Sequence, residues 1–172
     1  MNSILHFYQK NISWNIEEIK KLNFKFVETY QKNPSYTEYF HKRYENVIGN
    51  DAYYLPNVMP DFVEDVLNLP IFEEYSMKLP GIHRMQPGMA LPVHSDPFGN
   101  VSKLYGIKNI EEIDRYIIHL EDAKDGHYTQ VGDEIWCNYK LGDYVWWKGS
   151  AKHAAFNMGI EDRYTLQITC KK

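Results

Sequence analysis

The chain has 172 residues, of which 44% are hydrophobic and 24% are charged, and its formal net charge is −4. This length is sufficient to bury a full hydrophobic core, and the composition is typical of a globular protein. The negative charge argues against general nucleic-acid binding, because that affinity needs an excess of Lys and Arg. We expect one domain that covers residues 1–172.

The cysteines and the apolar segments indicate the compartment. Cys137 and Cys170 are far apart in the sequence, which argues against a disulfide scaffold, although they could pair across two strands. Residues 1–9 are too short and too mixed for a signal peptide, and no apolar run reaches the length of a membrane span. We therefore expect a cytoplasmic protein with no membrane partner.

Two amphipathic patterns occur before residue 50. Apolar residues recur at helical intervals within residues 14–30, although residues 24–27 could equally form a short strand. The same spacing recurs over residues 36–47, where Ser35 could cap a second helix. We expect both segments to pack on the outside of a sheet, because apolar stripes of this kind usually face a core. The alternative is that they form a wall of a substrate site.

A loop and a third helix follow. Residues 51–60 contain several turn-forming residues and predict a loop. Residues 60–67 predict a short helix with Asp61 as its cap. Residues 71–79 have only weak strand character. We expect residues 1–80 to be helical and extended support for the part of the chain that follows.

After residue 80 the sequence changes to short strands that are separated by turns. The dipeptides Pro87-Gly88, Asp125-Gly126 and Gly142-Asp143 are turn signals, and residues 101–112 predict a loop with a helical turn near its end. The predicted strands are 81–86, the segment around residue 94, 115–122, 127–131, 134–139, 144–148 and 164–170. Strands at such intervals are typical of a β-sandwich or barrel.

A candidate metal site lies in His94-Ser95-Asp96. A His and a carboxylate two residues apart on an extended chain point to the same face. They would supply two ligands of a 2-His-1-carboxylate iron site, and the third must be a distant His, for which His153 is the best candidate. The pair alone is weak evidence, because His-x-Asp also occurs as a surface pair or as a buried His held by a carboxylate.

A candidate anion site follows ten residues after His153. Arg163 and Thr165 lie on the same face of the last predicted strand, so a guanidinium and a hydroxyl could hold one carboxylate together. The alternative is a surface salt bridge between Arg163 and either Glu161 or Asp162.

Taken together, these motifs resemble the signature of the 2-oxoglutarate- and Fe(II)-dependent dioxygenases. The resemblance covers residues 81–170 and implies a mainly β fold of the α+β type, with a double-stranded β-helix (jelly-roll) core and N-terminal helices packed outside. It implies Fe(II) ligation by His94, Asp96 and His153. It also implies that Arg163, with Thr165 as hydrogen-bond partner, holds the far carboxylate of 2-oxoglutarate, and that O2 is the oxidant.

Two subgroups of this superfamily share further features with the chain. The Pro87-Gly88 turn resembles prolyl-hydroxylase-like members, which often carry Tyr where this chain has Met85. His119 resembles a His of aspartyl/asparaginyl-hydroxylase-like members that lies near the cosubstrate. Those enzymes carry an Arg at the position of Ile117 and commonly lack the carboxylate that Asp96 supplies. The C-terminal part is also similar to small oxygenases of marine bacteria and phages.

Strand alternation leaves the direction of several side chains open. Only one of His83 and Arg84 can face the site, and an outward ion pair is the favoured arrangement for Arg84. Trp146 and Trp147 likewise face opposite ways, so one belongs to the core and the other could shape the site. His127 could lie at the mouth of the site.

The resemblance implies a hydroxylase that acts on a prolyl or other amino-acid side chain, free or in a peptide, and releases succinate and CO2. One alternative is a non-catalytic, cupin-like jelly roll that binds a metal. Another is a cupin-type metalloenzyme that does not use 2-oxoglutarate, although such proteins usually show a His-x-His pair. The sequence identifies neither the primary substrate nor the oligomeric state.

Overall fold

The computed structural model describes residues 5–6 and 12–172, and the strands of this part of the chain form two antiparallel sheets. The strands are β1 Leu5–His6, β2 Lys25–Glu28, β3 Gly49–Tyr54, β4 Met77–Met85, β5 Ala90–His94, β6 Ile113–His119, β7 His127–Val131, β8 Glu134–Trp136, β9 Asp143–Lys148, β10 His153–Asn157 and β11 Arg163–Lys171. The larger sheet has the order β1-β9-β6-β11-β4-β3-β2, and the smaller one has the order β5-β10-β7-β8.

The last eight strands form a jelly roll. Their pairing is nested, since β4 pairs with β11, β5 with β10, β6 with β9 and β7 with β8. Successive pairs alternate between the two sheets, as in a long hairpin that is wrapped around a barrel. The predicted mainly β, jelly-roll fold is therefore confirmed.

In the described part of the chain, four short helices and three 3-10 turns connect or flank the strands. The helices are α1 Ile16–Ile19, α2 Pro34–Tyr39, α3 Asp61–Leu67 and α4 Gly99–Tyr105, and the 3-10 turns are Lys42–Tyr44, Pro70–Phe72 and Ile110–Glu112. Side chains of α1 and α3 join the main hydrophobic cluster on one face of the larger sheet, which confirms that helices pack outside the barrel.

Alternation along β11 separates this core from the interior of the barrel. Leu166, Ile168 and Cys170 are fully buried in the cluster beneath α1 and α3. Arg163, Thr165 and Gln167 lie on the opposite face of β11 and line a cavity. The same strand therefore supplies both the apolar core and the polar interior.

The first two helices are shorter than the sequence predicts. The pattern over residues 14–30 is a helix only as far as Ile19, and Lys25–Glu28 is a strand, so the alternative of a short strand over residues 24–27 is confirmed. The prediction of a helix over residues 36–47 is wrong beyond Tyr39, because Phe40 is extended with φ −108° and ψ 138°. The cap is Asn33, whose side chain accepts a hydrogen bond from the Ser35 N–H, rather than Ser35 itself.

Three other boundaries differ. The predicted loop over 51–60 contains the end of β3, because β3 pairs with both β2 and β4. The predicted loop over 101–112 contains most of α4, although its helical turn is confirmed. In α3, Asp61 is the first helical residue and Pro60 precedes it as the cap.

The predicted turns and free cysteines agree with the structure. Gly126 has φ +88°, and an added Cβ there would lie 2.1 Å from the Gly159 nitrogen, so the turn requires glycine. Cys137 is exposed and Cys170 is buried, and they form no disulfide. Over residues 5–6 and 12–172, no helix is both long and apolar enough to cross a lipid bilayer.

We predict that Leu166→Ala lowers the free energy of unfolding by about 2–5 kcal/mol, because it leaves a cavity in a core position with no exposed surface. Chemical denaturation measures this change. Leu141→Ala, at a leucine that is 58% exposed, is the matched control and should change stability by less than about 0.5 kcal/mol. Equal losses in the two variants would contradict the assigned core.

Candidate metal centre

The pairing of β5 with β10 brings the two predicted histidine ligands together. His94 is the register partner of His153, and their ring centroids are 4.3 Å apart. The register shifts between His153 and Ala155, whose partner is Leu91, so β5 carries an additional residue in a β-bulge. This bulge allows Leu91 and His94, three residues apart, both to line the cavity.

Asp96 completes the cluster from the segment that follows β5. Its Oδ1 lies 3.5 Å from His94 Nε2, and its Oδ2 lies 3.6 Å from His153 Nε2. One ligand atom from each of the three residues lies within 4.8 Å of the others. The structure therefore brings all three predicted metal ligands together.

Backbone carbonyl groups fix both imidazole rings. His94 Nδ1 lies 2.7 Å from the Pro92 carbonyl oxygen, and His153 Nδ1 lies 3.0 Å from the Ala151 carbonyl oxygen. Each Nδ1–H can donate to its carbonyl, which leaves the Nε2 lone pair directed at the cluster. A carbonyl partner on the far side of the ring is typical of metal-binding histidines. Two imidazoles and one carboxylate form the facial set that suits non-haem Fe(II), so the donor set fits that ion.

Arg115, which the sequence did not identify, holds the carboxylate ligand. Its Nη2 donates to Asp96 Oδ2 at 2.7 Å, and its guanidinium lies 4.9 Å from the ring centroid of Phe98. Burial alone would raise the pKa of Asp96, but Arg115 and the two histidines outweigh it and hold that pKa well below its ordinary value. The carboxylate is therefore ionised, and Arg115 occupies one of its two oxygens.

These residues line a cavity of about 150 Å³ between the two sheets. Trp147 packs against His153 with ring centroids 4.7 Å apart, while Trp146 joins the outer core. The prediction that the two tryptophans face opposite ways is therefore confirmed. His83 also faces the cavity. Arg84 points the other way and forms an ion pair with Asp51 at 2.6 Å, as predicted.

Arg163 lines the same cavity and is buried. Its Nε donates to the Tyr139 hydroxyl at 3.2 Å, its Nη1 lies 3.3 Å from Met85 Sδ, and its Nη2 donates to Thr129. Among the described residues it has no carboxylate partner. Glu161 pairs with Lys124 instead, and Asp162 accepts a hydrogen bond from Tyr164, so the predicted alternative of a surface salt bridge is not formed.

The other two predicted cosubstrate residues differ in position. Thr165 lies two residues after Arg163 on the same face, lines the cavity, and has a hydroxyl with no hydrogen-bond partner in the described part of the chain. His119 is stacked on Tyr139, with ring centroids 3.4 Å apart and an interplanar angle of 9°. It is opposite Thr165 in the pairing of β6 with β11 but does not line the cavity, so its contact with a cosubstrate stays a prediction.

His127 does not lie at the mouth of the cavity. It is fully buried, and its Nε2 lies 3.1 Å from the Glu161 carbonyl oxygen. The residues that sequence reasoning missed are Arg115, Thr129 and Tyr139. An arginine within the apolar strand β6 was the available signal for Arg115, because a buried arginine needs an anionic partner. Thr129 and Tyr139 gave no such signal, since both are ordinary residues of a β-rich core.

Comparisons with known proteins extend this description only slightly. No protein-family model matches the chain, and no curated protein matches it. Among solved structures, TT1209 from Thermus thermophilus is 21% identical, with 55% of this chain and 72% of that chain covered and a TM-score of 0.39. A predicted oxalate decarboxylase from Thermotoga maritima is 9% identical, with 89% and 96% covered and a TM-score of 0.48.

A third structure is a Klebsiella pneumoniae protein with a double-stranded β-helix domain. It is 15% identical, with 55% of this chain and 67% of that chain covered and a TM-score of 0.39. Similarity at this level does not transfer an activity. The chain has a jelly-roll fold and a possible three-residue metal site, and any function must be argued from that site.

We predict that the buried histidines make the protein less stable in mild acid. Burial lowers the pKa of His83 to about 4 and holds the pKa of His119 well below its ordinary value of 6.5. As pH falls through about 6.5, the unfolded chain binds protons that the folded chain does not. The contribution of these two histidines to the free energy of unfolding is therefore fully present above this pH. Below it, that free energy declines by up to about 1.4 kcal/mol per pH unit for each group.

Urea denaturation at pH 7.5 and pH 5 measures this loss. His119→Phe preserves a ring on Tyr139 and should make the loss smaller, whereas His41→Phe, at an exposed histidine, should leave it unchanged. The same loss in all three proteins would show that His119 is not responsible.

Proposed function

We propose that the protein is an Fe(II)- and 2-oxoglutarate-dependent dioxygenase, and that it hydroxylates an organic substrate. The observation that carries this proposal is Arg163. It is a buried guanidinium without a carboxylate partner among the described residues, and it lines the same cavity as His94, Asp96 and His153. Burying an unpaired charge is costly, so such a group is expected to receive an anion.

The charges of the cavity support a carboxylate as that anion. Arg115 and Arg163 both line it, while Asp96 is the one carboxylate among its described lining residues. Because Arg115 is paired with Asp96, Arg163 is left for a ligand. The planar guanidinium suits a carboxylate bound through two parallel hydrogen bonds, and the Thr165 hydroxyl can add a third.

In this proposal each side chain has a defined task. His94, Asp96 and His153 would hold Fe(II) through two imidazoles and one carboxylate, a donor set that suits this ion. Arg163 and Thr165 hold the far carboxylate of 2-oxoglutarate, and Trp147 limits access of water to His153. Fe(II) would supply the site that activates O2, which neither the protein nor its organic ligands can do alone. 2-Oxoglutarate, O2 and substrate give succinate, CO2 and the hydroxylated substrate.

The resemblance described above suggests a prolyl or other amino-acid side chain as the first substrate to try. The second candidate function is a non-catalytic, cupin-like protein that binds a metal. It is supported by the same three ligands, because that cluster does not depend on Arg163. The two functions differ in whether 2-oxoglutarate binds.

We predict that Fe(II) and 2-oxoglutarate, added together without oxygen, produce a visible charge-transfer band. His153→Ala should abolish the band, because it removes a ligand. Arg163→Ala should weaken 2-oxoglutarate binding by about 2–5 kcal/mol, which is roughly thirty-fold or more, while Fe(II) still binds. A spectroscopic titration measures both effects.

Arg84→Ala is the matched control, because Arg84 forms an ion pair with a buried carboxylate on the opposite face of the same sheet. It should leave the band and the 2-oxoglutarate affinity unchanged. If Fe(II) binds to His94, Asp96 and His153 but 2-oxoglutarate does not bind at saturating concentrations, the dioxygenase proposal fails and the metal-binding alternative stands. If neither binds, both functions are wrong.

A further inference from the structure

A second cavity adjoins the metal cavity on the same face of the larger sheet. We call it the distal cleft, and it has a volume of about 340 Å³. It lies between β4, β11, the end of β3 and helix α4, and its walls include Tyr54, Leu79, Val101, Leu104, Tyr105 and Thr169. A volume of this size is in the range of small-molecule sites.

The distal cleft and the metal cavity share two lining residues, His83 and Gln167. Alternation along β11 explains this continuity. Arg163, Thr165 and Gln167 line the metal cavity, and Gln167 and Thr169 line the cleft. Successive residues on one face are about 6.6 Å apart along a strand, so Arg163 and Thr169 are roughly 20 Å apart. Arg163 is therefore at one end of this row of β11 residues, and the cleft is at the other end.

His83 and Gln167 have hydrogen-bonding capacity that the fold does not use. Neither side chain has a hydrogen-bond partner among residues 12–172, although each is at most partly exposed. Burial, reinforced by Arg115 and Arg163, lowers the pKa of His83 to about 4, so its ring is a neutral donor and acceptor near pH 7. Because polar groups inside proteins are normally hydrogen-bonded, these two side chains are available to bind a ligand.

The cleft contains no charge to bind a charged ligand. None of its described lining residues is Asp, Glu, Lys or Arg, and its walls are mostly aliphatic or tyrosine side chains. A free amino acid would bring an ammonium and a carboxylate into it without partners. An uncharged molecule with an apolar body avoids that cost.

We propose that the distal cleft binds the primary substrate, and that this substrate is a neutral, largely apolar small molecule whose one polar group is hydrogen-bonded by His83 and Gln167. This inference rests on the proposed function, in which Arg163 would hold 2-oxoglutarate at one end of the β11 face and leave the cleft at the other end for the substrate. It argues against a free, zwitterionic amino acid, which is one of the substrates considered above.

Three probes of one shape and different charge test the inference at pH 7. They are 4-methylphenol, which is neutral, 4-methylbenzoate, which is an anion, and 4-methylbenzylammonium, which is a cation. Saturation-transfer NMR on the full chain measures binding, and Mn(II) at the candidate metal site broadens the signals of a nearby probe. We expect 4-methylphenol to bind at least tenfold more tightly than either charged probe and to be broadened by Mn(II).

Variants at Gly81 locate the binding. A Cβ at Gly81 would lie 3.6 Å from His83 Nε2 and 3.5 Å from Tyr54 Cβ, which are ordinary contacts, so Gly81→Ala should fold normally. It should weaken 4-methylphenol binding several-fold, and Gly81→Leu should abolish it. Gly99→Leu is the matched control, because an added Cβ there contacts nothing within 4 Å, and binding should be unchanged.

Equal binding of the charged probes, or unchanged binding of 4-methylphenol in both Gly81 variants, would overturn the inference. A third result would also overturn the inference. In it, 4-methylphenol binding depends on Gly81 and Mn(II) is bound at its site, but the signals of the probe are not broadened, so the cleft is not near the metal. If Mn(II) does not bind at all, the proposed function fails, whereas loss of saturation transfer in the Gly81 variants still supports a neutral ligand in the cleft.

Discussion

The register between β5 and β10 is the constraint on which the candidate site depends. It places His94 opposite His153, and a slip of one residue would turn one of the two rings to the outside of the barrel. The bulge in β5 is part of this constraint, because it restores the inward direction of His94 after Leu91. Pro92 lies within the bulge, and β5 is an edge strand, which is where proline is tolerated. The Pro92 carbonyl also accepts hydrogen bonds from His94 and from Tyr36 of α2, so the N-terminal region supports the metal cluster.

Buried charge organises the remainder of the cavity. Arg115 and Arg163 lie in the interior, where an unpaired charge is costly. Asp96 satisfies Arg115, and this ion pair keeps the carboxylate ionised and in place. Arg163 is held by Tyr139, Thr129 and Met85, which orient the guanidinium without neutralising it. Tyr139 is therefore next to the position that we propose for 2-oxoglutarate. In the proposed function, a carboxylate of 2-oxoglutarate supplies the anion for Arg163.

The parts that could be predicted from the sequence are those with local signals. His94 and Asp96 are two residues apart, Arg163 and Thr165 share a strand face, and alternation along β11 separates core from interior. The spacing of strands and turns predicted a β-sandwich or barrel, and the resemblance to the dioxygenases implied the jelly roll. Residues 51–54 were assigned to a loop because turn-forming residues occur around them, yet Asp51 is buried in β3 and forms an ion pair with Arg84. The pairing of Arg115 with Asp96 and the support of Arg163 by Tyr139 depend on the tertiary fold, so no spacing reveals them.

The most direct test of the proposed site is an anaerobic crystal structure with Mn(II) and 2-oxoglutarate, measured at a wavelength where manganese scatters anomalously. We expect one anomalous peak within about 2.0–2.3 Å of His94 Nε2, His153 Nε2 and an oxygen of Asp96. We also expect a carboxylate of 2-oxoglutarate to lie against Arg163 and Thr165. A peak at other residues, or a metal at this site with no carboxylate at Arg163, would contradict the proposal.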